Sequence, residues 1–316
     1  MRRRPPLLPV MLLSSAVLVL AACGTERAGL GDVEAGAAVP SSRPTPVTDP
    51  GTDGVRVTSL TLPTESPSPT PTRSYSVSAD RLPTDSGVSA AYEVTNPGSD
   101  TLTYTIVVTF TDADGGAVSN RTVTVRDVAP GKTVRGTVGA GVLPPSTPRI
   151  TGAEVMKVTK VPSAEAPADP ASCPASGIRV TADEGDAAMG LRVVGLHLTN
   201  CGTRPYEVEG YPLLELLDSG HDPVDGIDIL DGSGEITTGA GPDEPPRPVT
   251  LAPGESARAG LVWRNTTEAG DGMTPVNVPY VRVRAKPGAD PVTVTPDLDL
   301  GTTGRLGVRP WEKAAG

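Results

Sequence analysis

Along two long stretches of the chain apolar and polar residues alternate, and nowhere do apolar residues recur with the 3.6-residue period of a helix. In the first stretch Val88, Ala90, Tyr92 and Val94 share one face of a predicted strand. Leu102, Tyr104, Ile106, Val108 and Phe110 share one face of the next, with threonines opposite. Asn96-Pro97-Gly98-Ser99-Asp100 reads as the turn between them, and Asp112-Ala113-Asp114-Gly115-Gly116 as a second hairpin loop. Further strands are expected around Arg121 to Val128, Lys132 to Val138 and Glu154 to Val161. The second stretch predicts strands at Ile178 to Ala182, Leu191 to Thr199, Leu213 to Leu217, Val249 to Leu251, Ser256 to Arg264, Tyr280 to Ala285 and Val292 to Thr295. Within Ser256 to Arg264, Ala257, Ala259, Leu261 and Trp263 lie on one face and Arg258 and Arg264 on the other, the pattern of a half-buried sheet.

Short strands at this spacing, separated by turn residues, predict an all-β chain with two antiparallel immunoglobulin-like β-sandwich domains. The first is expected at residues 73–161 and the second at 173–311, with a tail at 312–316. The halves follow one plan. Val94-Thr95-Asn96-Pro97-Gly98 resembles Leu198-Thr199-Asn200-Cys201-Gly202, and Ala129-Pro130-Gly131-Lys132 resembles Ala252-Pro253-Gly254-Glu255, with an insertion between the two motifs in the second half. Two related sandwiches explain this, as does convergence on common turn chemistry.

Outside these stretches the composition changes. Met1-Arg2-Arg3-Arg4 precedes an uncharged, mostly apolar run from Leu7 to Ala22, the charged start and short apolar centre of a secretory signal at 1–22. That run falls short of the ~20 apolar residues a membrane span needs. It ends in Leu20-Ala21-Ala22-Cys23-Gly24, which resembles the bacterial lipobox, and the resemblance implies a diacylglyceryl group on the Cys23 sulfur and palmitate-type acyl chains. Two or more acyl chains make such an anchor stable, because each buried methylene contributes ~0.8 kcal/mol. Residues 23–72 are then the lipidated N-terminus and a disordered tether, densest at Thr64-Glu65-Ser66-Pro67-Ser68-Pro69-Thr70-Pro71-Thr72. The β-like patch from Val55 to Leu62 belongs either to that tether or to the first domain. A Pro-, Ala- and acid-rich linker is expected at 162–172. Removing the three leader arginines takes the net charge from −10 to −13, which excludes nucleic acid and direct attraction to anionic lipid. The lipid is the expected contact with the extracytoplasmic face of the cell membrane. Only five basic residues are lysine, and Ala, Gly, Pro, Val and Thr abound, a bias that resembles actinobacterial proteins.

With Cys23 lipidated, Cys173 and Cys201 remain as an even pair in an oxidising compartment, for which a disulfide is the default. A metal or redox pair is the competing reading, but the spacing lacks Cys-x-x-Cys and fits no usual zinc pattern. Leu196-His197-Leu198-Thr199-Asn200-Cys201-Gly202, Gly210-Tyr211-Pro212, Asp218 with Gly220, Pro248-Val249-Thr250-Leu251-Ala252-Pro253-Gly254 and Leu261-Val262-Trp263-Arg264-Asn265 together resemble domain of unknown function 4232. The resemblance covers about Cys173 to Trp311 and implies a β-sandwich at the cell surface with a Cys173–Cys201 bridge. It implies no activity. The first domain is similar, less specifically, to immunoglobulin-like modules.

Candidate chemistry is sparse. His197 sits within a strand pattern and reads as a packed or sheet-surface residue. Asp218, His221, Asp222 and Asp225 form an acidic loop, extended by Asp228 and Asp231, that could supply oxygen ligands to calcium or bind a small ligand, or be a solvated hairpin loop. The spacing matches no EF-hand. No Gly-x-Ser-x-Gly elbow, zinc helix, phosphate loop or dinucleotide signature occurs, so no enzyme is expected. Aromatic residues are three per cent of the chain, little material for stacking platforms, and Tyr206, Tyr211, Trp263, Tyr280 and Trp311 read as core. The expected role is a non-enzymatic envelope lipoprotein displaying a binding module for a protein or wall component; the alternative is a metal- or small-ligand-binding lipoprotein using the His221 loop.

Overall fold

The computed structural model describes residues 44–63, 85–144, 146–238, 245–267 and 274–314. All of them fall in one compact unit, Ser42–Gly316. The leader, Cys23 and the Thr64–Thr72 stretch lie outside the described residues. Every regular element among those described is a strand, and the chain is all-β.

The first sandwich comprises β1 (Thr45–Pro46), β2 (Val55–Thr61), β3 (Ser89–Thr95), β4 (Leu102–Thr111), β5 (Ala117–Val128), β6 (Thr133–Gly139) and β7 (Gly152–Pro162). Its sheets run β1-β2-β3-β6 and β5-β4-β7. The alternating faces meet between them: Ala90, Tyr92 and Val94 pack with Tyr104, Ile106, Val108 and Phe110, all buried. The Val55 to Leu62 patch is not tether. Val55, Val57 and Leu60 complete this core, and β2 pairs antiparallel with β3 in the register Val55↔Val94 and Leu60↔Ala90. Composition assigns this segment to the tether because threonines and a serine are interspersed with its four apolar residues; burial of Val55, Val57 and Leu60 stabilises it as a strand.

The second sandwich comprises β8 (Ile178–Ala182), β9 (Asp186–Ala188), β10 (Leu191–Asn200), β11 (Tyr206–Val208), β12 (Leu213–Leu217), β13 (Asp228–Asp231), β14 (Val249–Leu251), β15 (Ser256–Arg264), β16 (Val276–Val278), β17 (Tyr280–Arg284), β18 (Val292–Val294), β19 (Leu298–Gly301) and β20 (Arg305–Lys313). One sheet runs β13-β20-β15-β10-β8, with β9 also on β10; another runs β12-β17-β18, and β11-β14 and β16-β19 are separate pairs. Leu196, Leu198, Leu261, Trp263, Leu306 and Trp311 fill the core against Leu216, Val281 and Val283. Cys173 and Cys201 are joined by a disulfide across a sequence separation of 28.

Strand β20 has no clear alternation, and Gly307 and Pro310 argue against it, yet it lies between β13 and β15. The register of β15 against β20 shifts between Arg258 and Gly260, opposite Pro310, so the missing N–H falls at a bulge. Its parallel partner β13 spans only Arg305 to Val308 and ends before the proline. Gly307 admits the turn at Gly232–Ser233: a Cβ there would stand 2.6 Å from Gly232 O. β15 is buried on both faces at its centre, where Val262 is as buried as Leu261, while Arg258 stays exposed toward its start.

The repeated turn motifs are one structural device used twice. Asn96 N–H donates to Lys132 O (3.0 Å) and Gly131 N–H to Asn96 O (2.8 Å). The Asn96 amide nitrogen donates to Asp100 O and Val128 O, both at 2.7 Å, and its oxygen accepts from Gly98 N–H. In the second sandwich Asn200 N–H donates to Glu255 O (3.0 Å) and Gly254 N–H to Asn200 O (2.7 Å). Its amide donates to Arg204 O and Leu251 O, both at 2.8 Å, and accepts from Gly202 N–H. Both asparagines are buried. The Thr95–Thr133 hydroxyl pair recurs as Thr199–Ser256.

Candidate functional site

Residues 162–172 are not a loose linker. The connector turns at Pro162–Glu165, and Thr293 N–H and hydroxyl donate to Glu165 O (2.7 Å) and Glu165 Oε2 (2.8 Å). Arg282 bridges Glu165 and Glu215 at 2.7 Å each, and its pKa is raised chiefly by those two hydrogen bonds. Held there, the connector forms one wall of a groove of about 480 Å³, through Ala164, Ala166 and Ala168. Ile178, Arg179 and Val180 form another wall, and the turn from Lys286 to Val292 the third, with Tyr206 between. The volume lies within the range of small-ligand and peptide sites, and the lining is mostly apolar with a few polar groups.

Successive strand residues point to opposite faces, so a cavity that touches Ile178, Arg179 and Val180 in succession sees the edge of β8. β8 is terminal in its sheet. Asp183 N–H donates to Gly195 O, and with the register Thr181↔His197 and Arg179↔Thr199 the odd-numbered residues bond to β10. The N–H and C=O of Val180 therefore point away from β10, although Val180 itself is buried in the core. Ser176 Oγ already bonds both main-chain groups of Ile178, whereas Val180 has no such partner among the described residues.

The groove is cationic in an acidic protein. Lys286 Nζ lies 4.2 Å from the Tyr206 ring centroid, a cation–π contact, and donates to Glu207 O. Arg179 Nη1 donates to Pro170 O and Ser172 O, and the neighbouring Arg284 to Ala289 O. These cations rest on main-chain carbonyls, with no carboxylate partner among the described residues; Asp290 is the one carboxylate in the lining. Burial, and secondarily the Asp290 charge, raise the Tyr206 hydroxyl pKa, so that group stays a neutral donor. Tyr206 is thus a half-buried groove residue and not core, whereas Trp263 and Trp311 are core.

The acidic loop closes on itself and reaches the first sandwich. Asp218 Oδ1 accepts the N–H groups of Gly220 (2.8 Å) and Asp222 (3.0 Å), closing its own turn. His221, at φ 68°, turns its ring away from those carboxylates and stacks it on Tyr280 with centroids 4.2 Å apart. Its Nε2–H donates to Lys160 O on β7 at 2.8 Å, while Lys160 N–H donates to the Tyr280 hydroxyl at 3.3 Å. Asp218, His221, Asp222 and Asp225 are not gathered around one point, and no three His, Cys, Asp or Glu side chains among the described residues are grouped to hold a metal. Tyr280 belongs to a small cluster with Val161 and Leu217 at the joint of the two sandwiches, not to either main core. His197 is on the sheet surface, 3.2 Å from Asp183 Oδ2.

The joint, the groove and the disulfide all involve the second sandwich. Residues 173–312 match the family model Domain of unknown function (DUF4232). The match begins at the first disulfide cysteine and ends within β20, so the DUF4232 domain is the second sandwich. No curated protein matches the chain. Neither the groove nor the joint was legible in the sequence. The Lys286-Pro287-Gly288 turn is visible there as a turn, but nothing local brings it beside the connector and the β8 edge.

Proposed function

We propose that the protein is a non-enzymatic envelope lipoprotein, anchored through lipid on Cys23, whose DUF4232 domain binds a protein or wall component at the groove beside β8. The observation that carries this reading is a mostly apolar concavity of about 480 Å³ bounded by the terminal strand β8, the connector and the Lys286 to Val292 turn. The signal-like leader and the Leu20-Ala21-Ala22-Cys23 motif support the anchor, and the immunoglobulin-like first module serves as a spacer. The cargo-holding end then projects from the membrane on the remaining tether, and the amino-acid bias suits an actinobacterial envelope.

Two measurements test this. Cys23→Ala should move the protein from the membrane fraction to the medium; unchanged retention refutes the anchor. A photo-crosslinking residue in place of Ala289, in the groove, should give a defined adduct in living cells that the same residue at Thr137 does not, and Lys286→Glu should abolish it. Equal labelling from both positions, or none, refutes the groove as the binding site.

A further inference from the structure

We infer that β13 is a docking edge for an extended basic peptide, a second contact of the domain that does not depend on the groove beside β8. β13 and β8 are the two terminal strands of the order β13-β20-β15-β10-β8, so the two sites lie at opposite edges of one sheet. Asp228 N–H donates to Gly304 O (2.8 Å) and Gly232 N–H to Val308 O (2.7 Å), so in this parallel ladder the even-numbered residues bond to β20. The N–H and C=O of Ile229 and Asp231 therefore point away from β20, and no main-chain partner meets them among the described residues. Both residues are exposed, Ile229 at 45%, so solvent reaches this edge. An exposed edge with free donors and acceptors can receive an added strand, whose main chain supplies affinity and whose side chains supply selectivity.

The side chains select the occupant. Asp225, Asp228 and Asp231 are exposed and make no ion pair among the described residues. Arg305, which stands opposite Asp228 in the ladder, pairs with Glu235 instead. A second copy of β13 is a poor occupant, because antiparallel pairing of Asp-Ile-Leu-Asp with itself sets Asp228 against Asp231, and like charges directly opposite destabilise a ladder. A strand with cations flanking two apolar residues fits. Residues directly opposite share a face, so each cation meets one aspartate while the apolar pair lies against Ile229 and Leu230, covering the exposed Ile229 side chain. The ligand pattern is therefore basic, apolar, apolar, basic, and it reads the same in either strand direction.

The test titrates the isotope-labelled full chain without its leader with the end-blocked peptide Ser-Lys-Val-Val-Lys-Ser, read by the amide resonances of Ile229 and Asp231. Saturable shifts centred on those two amides are expected, with a dissociation constant below about 1 mM. Ser-Glu-Val-Val-Glu-Ser, and the basic peptide N-methylated at its four central residues, should each bind at least about tenfold more weakly. Ser-Val-Lys-Lys-Val-Ser should lose about threefold, because only one of its lysines can stand opposite an aspartate. Ile229→Pro should weaken binding at least about tenfold while leaving the melting temperature near that of the parent, because its N–H faces out of the ladder and an edge position tolerates proline. Asp228→Lys combined with Asp231→Lys should reverse the preference in favour of the glutamate peptide, and keeps the test decisive if the proline variant fails to fold. Equal affinity for the N-methylated peptide overturns strand addition. Equal affinity for the glutamate peptide, or no reversal in the double variant, overturns the charge selection, and equal affinity for the reordered peptide overturns the register. No binding up to about 1 mM, or shifts that spare Ile229 and Asp231, overturns β13 as the site.

Discussion

Asn96 and Asn200 show what a single buried side chain contributes. Each satisfies two carbonyls and one amide that the turn would otherwise leave unpaired, and each carbonyl at a buried strand end needs that donor. Asn96→Ala and Asn200→Ala should each lower unfolding free energy by about 2–4 kcal/mol in urea titrations, since the buried groups lose their partners. Glu93 illustrates a surface case. Its carboxylate accepts from Arg56 and Arg135 across three strands, and those two hydrogen bonds hold its pKa below the usual glutamate range. A depressed folded pKa contributes stability above the unfolded value of about 4.3, and that contribution is lost as pH falls through the folded value. Acid titration of unfolding should therefore show a shallower loss below about pH 4.3 in Glu93→Gln than in the parent. The motif around Asn96 was readable from sequence because turn chemistry is local. The Glu93 ladder was not, since its partners lie 37 and 42 residues away.

At the scale of elements, alternation and apolar runs bounded by turn residues located most of the longer strands, and the pattern failed where glycine and proline or polar surroundings obscured it. β8, β12, β14 and β15 occur at the expected residues. β20 was missed because glycine and proline interrupt it, and tertiary packing against a bulge supplies what local propensity lacks. β2 was ambiguous because its polar residues resemble those of the tether around it. The disulfide fixes the chain entering the second sandwich to the turn after β10. Cys173→Ser combined with Cys201→Ser should cost roughly 3–4 kcal/mol on the chain-entropy model, measured as a lower urea midpoint. Because Cys173 adjoins Pro174 in the groove wall, the same variant should also weaken ligand capture at the groove.

For the whole molecule, the joint decides whether two sandwiches behave as beads or as a unit. Lys160 presents both its N–H and its C=O to the second sandwich, received by Tyr280 and His221, while Lys157 pairs with Asp297 at 2.7 Å. With Val161, Leu217 and Tyr280 forming a shared apolar cluster, calorimetry should show one cooperative transition in the parent protein. Tyr280→Ala removes the ring under His221 and the acceptor for Lys160, and should resolve that transition into two. The same joint positions the connector, so the groove depends on contacts from both sides of residue 162.

By itself the sequence determined the class of fold, the order of most strands, the cysteine pair and the candidate address at Cys23. Period-two alternation, turn residues and cysteine count are properties of neighbouring residues and survive without a third dimension. Only the tertiary structure decided that β2 belongs to the core, that Tyr280 and His221 stack at the joint of the two sandwiches, and that the terminal strand β8 borders a groove shared with the connector and the Lys286 turn. Each depends on contacts between residues distant in sequence: His221 and Lys160 are 61 positions apart, and Lys286 reaches a carbonyl 79 positions away. Local pattern cannot encode such meetings, because they are set by how the sheets pack.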